Sequence, residues 1–319
     1  MGNHEHIKAA EGDRHFHRLG WKRLTIVLIV QSVALGSLSL PSAFATLGMV
    51  AGVILTAGFG MIALYSSYII GLMKLKYPHL PYYVNFGHLL MGGIGDKIFS
   101  VAFMALMILT VGSHCLTGKL ALATITQSNI YAILFSVVSA VILFAFAVPP
   151  SFAKISILGY IDFVSIIVAI GISIIATGIQ NTGPVSLDWS SWAKDDLTLS
   201  EAFITISNIV FAYSFASAQP SFMDKIHTPK DFTKSILTLG VTQTTIYTIT
   251  SATIYAFIGQ DVQSPTLLSA GPLFAKIAFS VALPIIFISD SINTTVACRF
   301  IHGRMYQQSV VRYVNTTKG

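Results

Sequence analysis

Long apolar stretches recur along the chain, and short polar segments separate them. Eight of these stretches, residues 24–47, 50–72, 98–122, 130–148, 155–179, 202–219, 235–258 and 272–297, are predicted to be membrane-spanning helices. A helix rises about 1.5 Å per residue, so about 20 apolar residues cross a hydrocarbon core roughly 30 Å thick. The first two stretches form one nearly unbroken apolar run that is too long for a single span. Gly48 and Gly52 predict a turn within it at 47–52. The runs are continuously apolar and do not alternate with a period of two, which favours helices over a β-barrel. In lipid a helix satisfies its own backbone hydrogen bonds.

Composition agrees with this pattern. Of 319 residues, 54% are hydrophobic and 10% charged, against about 25% charged in a soluble domain. The mean hydropathy is +0.72. The fold class expected is therefore an all-α polytopic membrane protein with the lipid bilayer as its surroundings. The pI of 9.2 does not point to nucleic acid, because the basic residues lie between the apolar stretches. Sixteen of the nineteen Lys and Arg residues fall on one side of the predicted spans, leaving Lys119, Lys194 and Lys276 opposite. Positive charge is retained in the cytosol, so both termini are expected there. This divides the chain into a cytosolic tail 1–23, a transmembrane domain 24–297 and a cytosolic tail 298–319. The first tail is too polar for a signal peptide and is expected to be disordered. Its His4, His6, His15 and His17 have no ligand framework, and no metal site is expected. Two cysteines, Cys115 and Cys298, imply no disulfide framework.

Three features carry candidate chemistry. In the first span Ala34, Gly36, Ser37, Ser39 and Pro41 cluster at mid-depth. Proline removes a backbone donor and glycine leaves helical geometry cheaply. A break there would expose N–H and C=O groups to a ligand, whereas the simpler alternative is a proline kink with small-residue packing. The sixth span, with Asn208, Tyr213, Ser214, Ser217, Gln219 and Pro220, is the most polar. Two interrupted helices five spans apart are a pointer to a five-helix inverted repeat. Asp162 and Asp290 lie roughly 10 Å inside their spans, where an acid is a functional candidate by default. Ser291, Thr294 and Thr295 add oxygens suited to a small cation, although hydroxyls also bond to their own helix. His114 is a weaker candidate, read as hydrogen-bonded packing. No Walker loop, HExxH, CxxC or nucleophile elbow is present, so no enzyme and no cofactor is expected.

Several stretches together carry a resemblance: ALGSLSLPSAFATLGMVAG (34–52), GSHCLTG (112–118), SILGYIDFVSI (156–166) and NIVFAYSFASAQPSFMDKIHTPKDFTKSI (208–236). They resemble the amino acid/auxin permease family, in particular its fungal neutral amino-acid permeases, over residues 19–317. The resemblance implies a LeuT-type inverted-repeat fold and secondary active transport of a neutral amino acid, coupled to H+ or Na+. It places Ala34, Gly36, Ser37, Leu38 and Ser39 of the first span, and Phe211, Ala212, Tyr213 and Ser214 of the sixth, at the substrate. Asp162, Asp290, Ser291, Thr294 and Thr295 become candidates for ion coupling, with protons favoured. The plasma membrane and the vacuolar membrane are both open. The family is implied to have eleven spans and this chain has eight, so a partial fold with an incomplete second repeat is expected. A non-transporting amino-acid sensor or regulatory protein, or an inactive truncated fragment, stands as the alternative.

Overall fold

The computed structural model describes residues 20–80, 82–127, 132–147, 152–180, 189–223, 226 and 228–306, with the backbone alone at 34, 35, 132 and 152–158. Residues 1–19 of the expected disordered tail, its four histidines and the end of the C-terminal tail lie outside the described residues, while Trp21–Arg23, expected in that tail, are the first residues of the first helix. In chain order the helices are α1 (Trp21–Lys76), α2 (Tyr83–Thr126), α3 (Ala132–Ala147), α4 (Phe152–Gln180), α5 (Leu199–Ala212), α6 (Gln219–Met223), α7 (Phe232–Ile258) and α8 (Gly271–Met305). All eight apolar stretches fall on these helices. Residues 24–47 and 50–72 are the two limbs of α1, and 202–219 runs from α5 through a 3-10 turn (Ser214–Ser217) into α6.

Among the described residues, four helical segments are long and apolar enough to cross a membrane: Gly36–Lys76, Tyr83–Thr126, Gly159–Gln180 and Thr266–Met305. The count is below eight for physical reasons. The first two stretches join into one α1, and the sixth is cut short at Ala212. Sixteen residues of α3 are described, and α7 carries a Thr-rich sequence. The helix α8 continues to Met305, eight residues past the boundary expected at 297.

The turn expected at 47–52 is at Gly48, where φ is 79° and ψ 168°. This region is open essentially to glycine alone. The second limb of α1 then starts with N–H groups that have no partner inside the helix. The 190–191 segment supplies them: Met49 N–H donates to the Ser190 carbonyl at 3.0 Å and Val50 N–H to that of Ser191 at 3.1 Å. The Ser190 N–H in turn donates to the Tyr255 hydroxyl of α7 at 3.0 Å. At the start of α5, Thr198 and Glu201 form a reciprocal capping box.

The core is shared by α1, α4, α7 and α8. The first limb of α1 buries Leu28, Val33, Leu38 and Leu40 against Leu239 and Tyr247 of α7, while Ala278, Phe279 and Ile285 of α8 face Ile166 and Ala169 of α4. The outward faces keep large apolar side chains exposed, such as Val101 on α2 and Phe144 on α3. A bilayer, and not water, is the solvent that such faces fit. At one end of the bundle α8 is fastened to α2: Arg304 meets Asp96 at 2.8 Å, and the Tyr82 hydroxyl donates to the Arg299 carbonyl at 2.7 Å.

Gly48→Ala tests the turn. A Cβ there would lie 2.3 Å from the Trp192 backbone, and the backbone strain alone is worth about 1–3 kcal/mol. We expect thermal unfolding of the detergent-solubilised protein to move down by several degrees, while Gly58→Ala, with open space around it, leaves it unchanged.

Candidate functional site

The two segments singled out in the sequence differ in the structure. The sixth span is broken as expected. The helix α5 stops at Ala212, Tyr213 leaves helical geometry at φ −97° and ψ 18°, and a 3-10 turn leads to α6. The first span is not broken. Within α1 only Gly48 has non-helical angles, and the chain runs through Gly36–Pro41 as helix. Small hydroxyl side chains support this stretch from within: Ser32 Oγ donates to the Leu28 carbonyl at 2.7 Å and Ser42 Oγ to that of Ser39 at 2.7 Å. Of the two readings left open for this segment, the structure fits a proline inside a tightly packed helix.

Gly36 does not break the helix, but it leaves space for a side chain from another helix. A Cβ at this position would lie 2.1 Å from the Tyr247 hydroxyl oxygen and 3.1 Å from the Ala212 Cβ. The missing side chain makes room for Tyr247 of α7. The Tyr247 hydroxyl donates to the Ser32 carbonyl of α1 at 2.5 Å and accepts from Gln243 Nε2 at 3.0 Å. Gln243 Nε2 also reaches the Ala212 carbonyl, at 3.0 Å. One tyrosine and one glutamine thus tie the end of the broken helix to the unbroken one. On the far side of the break Tyr213 donates to the Thr56 carbonyl at 2.9 Å. Gln219 donates from Nε2 to the Ser67 carbonyl at 2.9 Å and is bonded through Oε1 to the Ser67 hydroxyl.

Beside the break lies a cavity of about 290 Å3 between α1, α2, α5 and α8. It gathers Gly36, Leu38, Ser39, Phe211, Ala212 and Ser214 from the nine expected substrate residues. Ser37 is fully buried and Tyr213 points at α1, so neither is among its described lining residues. The Ala34 side chain lies outside the described residues. Sequence reasoning missed Gln31 and Thr110 on the other walls, and did not place Asn208 and Asn293 at the substrate. Gln31 donates to Asn293 Oδ1 at 2.7 Å and so joins α1 to α8. The signal for these residues, and for Gln243 and Tyr247, was present: each is a polar side chain inside an apolar run.

The expected ion-coupling residues do not form one cluster. Asp162 and Asp290 are both fully buried, and neither carboxyl oxygen of either has a hydrogen-bond partner among the described residues. Asp162 is one turn from Ser165, whose hydroxyl bonds to the Val281 carbonyl, so it shares the face of α4 that packs on α8. Asp290 has His114 Nδ1 at 3.6 Å. Ser291 and Thr295 donate back to their own helix, at 2.6 Å to the Ile288 carbonyl and 2.7 Å to the Ser291 carbonyl. Thr294 is half-buried. Among the described residues no three His, Cys, Asp or Glu side chains come together as a metal site.

A bundle of apolar helices with one helix broken against a small polar cavity defines a polytopic membrane transporter. The chain belongs to the family described as transmembrane amino acid transporter protein, whose model matches residues 17–318. It is similar to the N amino acid transport system protein of Neurospora crassa, with 55% identity over 318 residues, covering 98% of this chain and 68% of that one. A transmembrane transporter of Gibberella moniliformis is 23% identical over 308 residues, covering 94% of this chain and 65% of its own length. One from Fusarium pseudograminearum is 22% identical over 308 residues, covering 94% and 64%. The chain therefore spans about two thirds of the length of these relatives.

The clamp at Gly36 makes a separable prediction. Tyr247→Phe removes the hydroxyl bonds and is expected to cost about 1–2 kcal/mol of stability. Gly36→Ala forces the ring itself to move, so it should cost more and also weaken amino-acid binding. Thermal unfolding and equilibrium binding on both variants check the order, and equal stability of Gly36→Ala and wild type would contradict it.

Proposed function

We propose that the protein is a secondary active carrier of neutral amino acids driven by protons, with the cavity as its substrate site. The observation that carries this reading is the wall chemistry. The described lining holds amides, hydroxyls, apolar groups and the His114 imidazole, with no Asp, Glu, Lys or Arg. A zwitterion with an uncharged side chain suits such a wall, whereas a charged side chain would enter it without a partner. The C-terminal end of α5 presents carbonyls and the negative end of its dipole, which favours the substrate ammonium near Ala212–Ser214. The carboxylate is then left to the amides of Gln31, Asn208 and Asn293 and to the His114 imidazole. The name of the Neurospora relative, an amino acid transport system protein, supports the same substrate class.

In this reading the first limb of α1 and the α5–α6 pair are the equivalent elements of a LeuT-type inverted repeat. The basic end of the bundle, with Lys22, Arg23, Lys74 and Arg304, faces the cytosol. Asp162, buried without a hydrogen bond, is a proton site.

Uptake of labelled amino acids into proteoliposomes tests the carrier. Accumulation should require an inward proton gradient and should survive replacement of sodium by choline. No accumulation of any neutral amino acid would overturn the reading. Ser214→Leu narrows the cavity, so tryptophan uptake should fall before glycine uptake, and equal loss of both would place Ser214 away from the substrate. Asp162→Asn should abolish accumulation against a gradient while leaving exchange of bound amino acid intact. Unchanged accumulation in that variant would remove Asp162 from coupling.

A further inference from the structure

We infer that His114 and Asp290 form a single proton-holding pair at the wall of the cavity, with His114 the residue through which amino-acid binding and proton binding are linked. The inference rests on the proton-coupled reading above and names the group that does the linking.

The position is distinctive. His114 is 2% exposed on α2 and is the only titratable side chain among the described residues that line the cavity. Behind it, 3.6 Å away, is the Asp290 carboxyl, fully buried and without a hydrogen bond among the described residues. A lone carboxylate charge is disfavoured there unless a positive partner or a proton accompanies it. The other buried acid on an element packed against α8 is Asp162 of α4. The helices α3 and α6, which pack on α2, contain no ionisable side chain. The remaining ionisable groups of α8, Lys276, Arg299, His302 and Arg304, lie toward its two ends, and α5 has only Glu201 at its far end. On α2 itself the adjacent Cys115 thiol is bonded to the Ser136 carbonyl at 3.5 Å, and the nearest charged group is Lys119, more than one turn away.

The hydrogen bonds show how the pair holds its proton. His114 Nδ1 is 3.0 Å from the Thr110 carbonyl, which can only accept, so Nδ1 carries a hydrogen. His114 Nε2 is 3.0 Å from Ser289 Oγ. Ser289 Oγ is also 2.5 Å from the Ile285 carbonyl. The serine has one hydrogen to give. When it points at Ile285, Nε2 must donate to Oγ, the ring is an imidazolium, and Asp290 is its counter-ion. When the hydroxyl turns to Nε2, the ring is neutral. A proton taken from water in the cavity therefore adds to Nε2 as the Ser289 hydrogen turns to the Ile285 carbonyl. One N–H bond forms, one O–H bond of the donor breaks, and no heavy atom has to move. The positive charge this creates stands at the wall of a cavity with no other charge, where it favours a substrate carboxylate.

Linkage makes this measurable without transport. If the substrate binds more tightly when the pair holds its proton, binding takes up a proton and tightens as pH falls. Calorimetric titration of the full chain with L-alanine and L-phenylalanine, in buffers of different ionisation enthalpy between pH 5 and 9, reads both. Wild type should take up close to one proton per amino acid, with Kd changing up to about tenfold per pH unit over the titrating range. His114→Gln and Asp290→Asn should each lose the proton uptake and flatten the pH profile to less than twofold per unit. The double variant should be no worse than either. Wild-type proton uptake that persists unchanged in both single variants overturns the pair while the carrier reading stands. Amino-acid binding by wild type with no proton taken up at any pH overturns proton coupling itself, and no amino-acid binding overturns the site. Thermal unfolding of each variant confirms that a lost signal is not lost folding.

Discussion

A helix that stops in apolar surroundings must have its last carbonyls answered, because there is no water to do it. Here the helix is α5, and the answer comes from α7. Gln243 donates to the Ala212 carbonyl, and Tyr247, held by the same glutamine, donates to Ser32 on α1. This clamp works only because Gly36 leaves space for the tyrosine ring. The remaining parts of the site follow from it. The break is held open at one height, Tyr213 is directed to Thr56, Gln219 anchors the following turn to Ser67, and the cavity forms beside these fixed backbones.

The clamp also accounts for the asymmetry between the two candidate breaks. In α1 the missing donor of Pro41 is tolerated inside a helix whose serines bond back onto its own carbonyls. In α5 the change of direction at Tyr213 is completed by side chains from other helices. A ligand arriving at the cavity therefore meets one continuous wall, from α1, and one wall that ends in backbone dipoles, from α5. For a zwitterion with an uncharged side chain, this pairs a negative helix end with a set of neutral donors, which is the basis of the proposed substrate class.

Much of the fold was legible in the sequence because apolarity over about 20 residues is a direct consequence of bilayer thickness. The Gly48 turn was visible for the same reason: a run from residue 24 to 73 cannot be one span. The break at Tyr213–Ser217 was legible from the polar residues and Pro220 near it. The packing partner of Gly36 was not legible. Glycine signals that backbone approaches something, but the partner, Tyr247, is more than 200 residues away in sequence, and only packing reveals it. The same holds for His114, read as packing because its partners Ser289 and Asp290 are on another helix. Gln31 was passed over because a single amide inside an apolar run was given less weight than a cluster.

The central claim is that a neutral amino acid occupies the cavity between α1, α2, α5 and α8. It is tested most directly by locating a heavy-atom-labelled substrate in crystals of the protein. With 4-bromo-L-phenylalanine bound, the account predicts one anomalous bromine peak inside the cavity, in contact distance of Phe211 or Ser214 and displaced by an excess of unlabelled L-phenylalanine. A displaceable peak elsewhere in the bundle, with the cavity empty, would contradict it.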